Sequence, residues 1–261
     1  MHTKHVNLPP PDYLAKKIED SRKFYPWFKD CIGALDGTHI PVFVKTSSQP
    51  AYTNRKGYLS QNVMGVCTFD LQFCYIYAGW EGSANDQQVL NDAIGKGYFK
   101  VPAGKYYLAD AGYVCSDIIL SPYRGYRYHL KEGLSARAKP ACKEELFNLR
   151  HAQLRNEVER IFGVAKRRFP ILDKAYETLD MQKQVHLVYA LTGLHNFIRQ
   201  HATRFDLFDT EGIEKGDREA RANAETSIRA DTSSVEQRNQ METWRNQVAE
   251  EMWQGYIEYT G

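Results

Sequence analysis

The sequence lacks an apolar run long enough to cross a bilayer. The longest one, residues 185–198, contains four polar side chains and falls short of the roughly 20 residues that a membrane-spanning helix needs. The N-terminus also lacks the basic, apolar and small-residue order of a secretory signal peptide. We therefore predict a core helix at 185–198, no membrane partner, and a protein of the nucleus or cytoplasm.

Cysteine is scarce, and no two cysteines have the C-x-x-C spacing of zinc or redox sites. An odd number of widely spaced cysteines predicts reduced, buried thiols in an intracellular protein. The chain also shows no cluster of Arg and His around one tyrosine, so a covalent tyrosine-recombinase mechanism is not indicated. The five cysteines are Cys31, Cys67, Cys74, Cys115 and Cys142.

Neither sign of charge dominates the chain, whose formal net charge is +2. The balance is uneven, because residues 204–261 hold seven Lys/Arg and 13 Asp/Glu, which leaves 27 basic and 19 acidic residues in 1–203. A body with that excess suits a polyanion such as DNA, although a merely solvated surface would have the same composition. We divide the chain into a helical extension (1–30), a core (31–203) and a polar acidic tail (204–261), partly helical or disordered.

The order of predicted elements is that of a ribonuclease-H-like α/β fold, a mixed sheet flanked by helices. Three strands come first and form a meander, and long helices with 3.6-residue periodicity come last. A helical pattern also runs through the N-terminal extension and ends near Pro26. Strands are predicted at 32–44, 62–69, 73–79, 105–110 and 126–130, and helices at 86–94, 117–120, 143–169, 181–200 and, weakly, 235–259.

In that topology the first and fourth strands are neighbours, so Asp36 and Asp110 are expected to lie close together, with Glu159 facing them from the long helix. Converging carboxylates repel one another unless a cation neutralises them, and oxygen ligands favour Mg²⁺ or Mn²⁺. Two such ions would support attack on a phosphodiester by water or by a 3′-hydroxyl. Taken singly, each acid has a simpler interpretation: an Asp beside Gly is often a turn residue, and Glu159 can pair with Arg155.

Several motifs, spaced in order along residues 31–200, resemble the PIF/Harbinger transposase family and its domesticated nuclease-like relatives. They are DGTHIPV (36–42), NRKGYLSQNVMGVC (54–67), GSANDQQVL (82–90), YLADAGY (107–113), RNEVERIFGVAKRRFPIL (155–172) and LHNF (194–197). The resemblance implies a metal-dependent DNA endonuclease or transposase core.

The resemblance places a catalytic and metal-binding DDE triad at Asp36, Asp110 and Glu159, with 48 residues between the last two acids. Glu157 is the competing third acid, but it lies on a different face of the helix. Asp86 matches a further family acid, at the position where related nucleases keep a fourth carboxylate and where it would be a metal ligand; a simple N-cap is the preferred interpretation of this residue.

Two basic groups are the candidates for contacts to the DNA backbone, with a solvated surface as the alternative. The first group is Asn54, Arg55 and Lys56, and the second is Lys166, Arg167 and Arg168.

Two histidines are expected to have structural roles. We expect His39 to pack or to make a structural hydrogen bond on the face opposite Asp36, and His195 to be a core histidine.

The resemblance also bears on partners. Complete transposases of this type carry a helix-turn-helix region ahead of the core, and about 30 residues precede the first predicted strand here. Specific DNA binding is therefore expected to need a further segment or a Myb-like partner protein, and a homo-oligomer is a further expectation. The eukaryotic distribution of the family implies a nuclear location. The alternative function is a domesticated, catalytically silent protein that binds DNA or chromatin.

Overall fold

A five-stranded sheet forms the centre of the computed structural model, which describes residues 2–126, 139–201 and 235–260. The strand order is β3-β2-β1-β4-β5. β1, β2 and β3 pair antiparallel, whereas β1–β4 and β4–β5 pair parallel. This mixed sheet with flanking helices confirms the predicted ribonuclease-H-like class. The strands are β1 (Cys31–Pro41), β2 (Ser60–Cys67), β3 (Phe73–Glu81), β4 (Tyr106–Leu108) and β5 (Ile119–Leu120).

Two long helices, α5 and α6, match the predicted periodic segments to within a residue or two at each end. α5 stops just before Pro170, which cannot continue a helix without losing a backbone hydrogen bond. Short 3₁₀ helices occupy Thr46–Ser48 and Pro170–Asp173. The helices are α1 (His2–His5), α2 (Lys16–Glu19), α3 (Gln49–Tyr52), α4 (Asp86–Gly95), α5 (Lys143–Arg168), α6 (Met181–His201) and α7 (Val235–Thr260).

The two faces of the sheet bury separate clusters, because side chains alternate along each strand. Ala34 of β1 and Leu108 of β4 join the cluster that α5 covers, through residues such as Val158. Leu35 and Tyr107, their neighbours in sequence, join the cluster that α4 covers. An acid at the end of a strand can therefore be assigned to a face from its register.

The helix predicted at 117–120 is wrong, because this segment forms a turn and then β5. The Tyr107 amide donates to the Ile118 carbonyl (2.9 Å) and the Ala109 amide to that of Leu120 (3.2 Å), so β4 supplies a pairing edge. Non-local pairing has overridden a weak local pattern. Of the strand predicted at 126–130, residues 127–130 lie outside the described residues.

The N-terminal segment differs from the continuous helical pattern predicted for it. Only the four residues of α2 are helical between Ala15 and Asp20, and turns follow. Ile18, Phe24 and Phe28 are nonetheless buried in the α5-side cluster. The predicted apolar positions are therefore core positions, although the backbone that carries them is mostly irregular.

The weakly helical end of the chain forms a helix of 26 residues, α7. Val248, Ala249 and Met252 are buried on it, and Lys143 at the start of α5 pairs with Glu250 (2.8 Å). Residues 204–234 of the predicted tail, and the last two residues of the predicted core, lie outside the described residues. The final helix is therefore part of the packed body.

Two composition-based expectations can be compared with the structure. All five cysteines are free, and four are buried, Cys142 being the partly exposed one. Along the described ranges, no helix combines the length and apolar character that crossing a membrane requires.

Candidate active site

Asp36 and Asp110 lie close together at the neighbouring strands β1 and β4. Ala34 of β1 pairs with Leu108 of β4, and Asp36, two residues after Ala34 on β1, faces the α5 side. Asp110 lies two residues beyond the end of β4, near enough for its charge to act on Asp36. Asp36 Oδ1 accepts from the Gly37 amide (2.9 Å). Asp110, which is buried, accepts from the Gly112 amide (2.8 Å), as expected of a turn residue. The predicted adjacency of these two acids follows from the strand order.

Glu159 approaches the same face because α5 packs closely on β2. Gly65 is the register partner of Asp36, and a Cβ at this position would overlap the ring of Phe162. A glycine therefore lets α5 lie against the sheet less than one turn from Glu159. The side chain of Glu159 is 12% exposed and that of Asp36 is 15% exposed, so both acids are largely removed from solvent.

Arg155 joins two of the three predicted acids. Its Nη1 donates to Asp36 Oδ2 (3.0 Å), and its Nη2 donates to Glu159 Oε1. The i, i+4 spacing of Arg155 and Glu159 favours their pairing, whereas the second bond, to Asp36, needs the tertiary fold. A single buried guanidinium therefore connects α5 to β1 at the centre of the site.

Burial and negative charge act together on Asp36. Burial raises the pKa of Asp36 well above its ordinary value, Arg155 opposes this rise, and Asp110, Glu159 and Asp86 add to it. The four carboxylates are thus close enough to interact electrostatically. One guanidinium offsets only part of their charge.

Asp86 lies on the other side of β1. Its Oδ1 accepts from Asn62 Nδ2 of β2 (2.7 Å), and the same oxygen would overlap a Cβ placed on Gly37. Burial, ahead of the charge of Asp110, raises the pKa of Asp86 to about 6, although the Asn62 hydrogen bond acts against this rise.

The simple N-cap role for Asp86 is wrong. Asn85 is the N-cap of α4, and its side chain forms a capping box with Gln88. Because Asn85 supplies the cap oxygen, the Asp86 carboxylate is available to the acid group. Its assignment as a metal ligand stays a prediction.

Glu157 turns away from this group. It is buried and pairs with Lys17 from the N-terminal segment and with Arg160 (2.8 Å) on its own helix. This geometry agrees with the preference for Glu159 over Glu157 as the third acid.

The carboxylates at the site are chemically suited to a divalent metal ion, but those that the structure describes are not grouped around a single position that could hold one. Carboxylate oxygens that repel one another are the donors that Mg²⁺ and Mn²⁺ favour. Within residues 2–126, 139–201 and 235–260, however, no three His, Cys, Asp or Glu side chains are grouped so that they could hold a metal ion. The Arg155 guanidinium, bound to both Asp36 and Glu159, fills the space between these two acids.

Two polar atoms beside the acids are not indicated by the sequence pattern. Asn62 Oδ1 and Tyr113 Oη are buried without a hydrogen-bond partner among the described residues. Burial raises the pKa of Tyr113, and the charges of Asp86, Asp36 and Asp110 raise it further. Both residues stand inside the quoted motifs, but only the fold shows that they adjoin the acids.

The first basic group divides into a buried member and two exposed ones. Asn54 is buried, donates to Ser60 Oγ (2.9 Å) and accepts from the Lys56 amide (2.9 Å), so it shapes the loop. Arg55 and Lys56 are exposed, and the charge of Arg55 reaches Asp86. The phosphate-contact hypothesis for this group therefore rests on Arg55 and Lys56.

The second basic group ends α5, and its members already have partners within the chain. Lys166 Nζ donates to the His39 carbonyl (3.1 Å), and Arg168 Nη1 contacts His195 Nδ1 (2.8 Å). Lys166, Arg167 and Arg168 all remain partly exposed. Their predicted contacts to DNA stay predictions.

The two histidines have the structural roles expected of them. His39 Nδ1 contacts Ser60 Oγ (3.0 Å), and Ser60 lies on the side of the sheet opposite Asp36. His195 is fully buried, and its Nε2 donates to the Leu71 carbonyl (3.0 Å). Neither residue belongs to the acid group.

Comparison with curated proteins finds relatives that are named as nucleases. The curated "Putative nuclease HARBI1" is 24% identical in Rattus norvegicus and 25% identical in Homo sapiens, each over 200 residues that cover 75% of this chain and 54% of the relative. "Protein ALP1-like" of Arabidopsis thaliana is 26% identical over 191 residues, covering 65% of this chain and 43% of the relative. The chain thus spans about half the length of these relatives. No solved structure gives a significant match.

The family comparison covers all the predicted acids. The profile that describes the DDE superfamily endonuclease matches residues 35–196, which is more than half of the chain and runs from the middle of β1 to near the end of α6. The chain therefore belongs to the DDE superfamily endonuclease family.

Proposed function

We propose that this chain is the catalytic core of a metal-dependent DNA endonuclease that hydrolyses phosphodiester bonds. Its catalytic residues would be Asp36, Asp110 and Glu159. The observation that carries the proposal is the proximity of the three acids: Asp36 lies on β1, Asp110 lies just after β4, which pairs parallel with β1, and Glu159 is joined to Asp36 through Arg155. Family membership and relatives named as nucleases support a nuclease- or transposase-like function.

Endonucleases of this superfamily generally use divalent metal ions. Mg²⁺ or Mn²⁺, as a pair of ions, would be held by the three acids, and would stabilise the charge on the attacking and leaving oxygens. The chain fixes the acids beforehand: the Gly37 amide holds Asp36, and the Gly112 amide holds Asp110. Partial burial limits the competition from bulk water for these carboxylates.

DNA would reach the acids along basic residues that lie near them. Arg55 lies near enough to Asp86 to lower its pKa, and Lys166 is bound to the carbonyl of His39, three residues after Asp36. Contacts between such side chains and phosphates position DNA without reading its sequence. The nucleus is the location that we propose for this activity.

One observation favours the second candidate, a catalytically silent protein that binds DNA or chromatin. Arg155 already partly neutralises Asp36 and Glu159, and a protein that never binds metal would keep its acids in this state. The two functions differ in whether the chain binds divalent metal and cuts DNA.

Asp110→Asn is the variant that separates the two functions, with Asp92→Asn as the matched control. Asp92 lies on α4 and pairs with Lys96 (2.8 Å), outside the acid group. We expect the parent and Asp92→Asn to bind Mn²⁺ by calorimetry and to nick supercoiled plasmid DNA, and EDTA to abolish nicking. Asp110→Asn should lose more than about 100-fold in nicking rate, since even outer partners of metal ligands cost roughly 10- to 100-fold when removed. Equal nicking by Asp110→Asn, or no metal binding by any of the three proteins, would reject the proposal.

A further inference from the structure

We propose that Arg155 is an internal cation that holds Asp36 and Glu159 together in the metal-free protein and competes with a divalent metal ion for both carboxylates. Arg155 is thus a positioning residue, and metal binding requires its guanidinium to release at least one of the two acids. The competition rests on the proposed metal-dependent function, because it needs a metal to compete with.

The geometry of the guanidinium carries this inference. Two different nitrogens of Arg155 bond to two different carboxylates, one on β1 and one on α5, and the Arg155 side chain is only 3% exposed. Arginine keeps its charge at every pH at which proteins fold, and its planar fork of donors matches carboxylate oxygens. The contact is therefore a fixed positive charge within the acid group.

The carboxylate oxygens that accept hydrogen bonds from Arg155 are oxygens that a metal ion would also use as ligands. Asp36 offers Oδ2 to Arg155 while its Oδ1 accepts from the Gly37 amide, so both of its oxygens are engaged. A divalent ion shared by Asp36 and Glu159 would also lie close to the guanidinium, where like charges repel strongly because the site is partly buried. The two cations are thus alternatives at these oxygens.

The charge balance shows why Arg155 alone does not satisfy the acids. Arg155 pairs with Asp36 and Glu159, while Asp110 and Asp86 add further negative charge, so one guanidinium balances only part of the charge of the four neighbouring carboxylates. Release of Arg155 would free two acids that lie near Asp110.

The test compares Arg155→Met with Arg160→Met in the full chain. Arg160 is the matched control, since it lies on the same helix and pairs with a carboxylate, Glu157 (2.8 Å), outside the acid group. Mn²⁺ affinity is measured by calorimetry, and thermal unfolding is followed in EDTA and in Mn²⁺. These readouts do not depend on DNA cleavage.

We expect Arg155→Met to bind Mn²⁺ more tightly than the parent by roughly 5- to 100-fold, the usual range of coupling between two ligands, and Arg160→Met to match the parent. In EDTA, Arg155→Met should unfold about 5 °C or more below the parent, because two buried acids lose their counter-ion, and Mn²⁺ should raise its midpoint more than the parent's. Folding of Arg155→Met only with Mn²⁺ present would support the proposal equally.

Arg155→Lys covers the case in which Arg155→Met does not fold in either condition. An ammonium cannot bridge two carboxylates through a planar fork, so this variant should still bind Mn²⁺ several-fold more tightly than the parent. A parent that binds Mn²⁺ while both variants bind it equally or more weakly would overturn the competition and leave the proposed nuclease standing. If neither the parent nor any variant binds Mn²⁺, both the competition and the proposed function fail.

Discussion

At the scale of single residues, the site depends on a glycine, whose lack of a Cβ leaves room for a neighbouring carboxylate. Gly37 follows Asp36, and its missing Cβ leaves the space that Asp86 Oδ1 occupies against β1. Asn62 then holds Asp86 from β2. The close approach of this fourth carboxylate is therefore permitted by one glycine and fixed by one amide.

Replacement of Gly37 by alanine is expected to destabilise the protein by about 1–3 kcal/mol, the usual cost of overpacking, because the new methyl group displaces Asp86. Chemical unfolding measures this change in free energy. Gly95→Ala is the control, since a Cβ there meets nothing within 4 Å and α4 should gain slightly in stability.

A double variant tests the cause of that loss. If the clash with Asp86 is responsible, Gly37→Ala combined with Asp86→Ala should cost less than the sum of the two single changes by roughly 0.5–3 kcal/mol. Additive losses would contradict the close contact between Gly37 and Asp86.

At the scale of elements, α5 serves both the core and the site. Its N-terminal half is bound to the end of β5 and the loop that follows: His151 Nε2 donates to the Leu120 carbonyl (2.9 Å), and Asn148 exchanges two hydrogen bonds with the Tyr123 backbone (2.8 and 3.0 Å). Its C-terminal half carries Glu159. The contact with β5 therefore sets the position from which Glu159 approaches the acids.

The α5–β5 contact should weaken in acid, because burial lowers the pKa of His151 from about 6.5 to about 3. The fold holds the neutral imidazole, while the unfolded chain takes up a proton below pH 6.5. Stability from this histidine is thus complete above pH 6.5 and is lost as the pH falls toward 3. The loss at pH 4 is on the order of 3 kcal/mol, since each pH unit between these two pKa values costs about 1.4 kcal/mol.

Unfolding free energies of the parent and His151→Gln, measured from pH 7 to pH 4, check this expectation. Other groups titrate in this range, so the informative quantity is the difference between the two proteins, which should shrink as the pH falls. His186→Gln, at an exposed position of α6, is the control. A difference that stays constant with pH would show that His151 does not carry the effect.

At the scale of the whole molecule, the charges are divided between two parts of the chain. Residues 1–203 carry 27 basic and 19 acidic side chains, whereas 204–261 carry seven and 13. Arg55 and Lys56 stand exposed on a loop near the acids. A polyanion is therefore expected to bind the body of the molecule at this loop.

The double variant Arg55→Ala/Lys56→Ala should weaken DNA binding and reduce the slope of log affinity against log salt by about 1.8, because each phosphate contact contributes about 0.9. Fluorescence anisotropy over a range of salt concentrations measures this slope. Lys96→Ala/Lys183→Ala removes the same charge from exposed lysines that pair with Asp92 and Asp180, and it should leave the slope unchanged. Equal slopes in the two double variants would argue against phosphate contacts by Arg55 and Lys56.

The sequence by itself determined the first four strands and their order along the chain, the span of α5 and α6, and the motifs that contain the three predicted acids. These features rest on local information: 3.6-residue periodicity, a proline after Arg168, and acids that directly follow or interrupt apolar strand segments. The proximity of Asp36 and Asp110 was predicted from the ribonuclease-H-like topology, in which the first and fourth strands are neighbours, and β1 and β4 do pair.

Only the tertiary structure decided the features that join residues distant in sequence. β5 is a strand because β4 offers it a pairing edge, and the final helix belongs to the body because Val248 and Met252 find apolar partners there. Likewise, the second bond of Arg155, to Asp36, spans 119 positions. Such contacts form only when the chain has folded, so a local sequence pattern cannot reveal them.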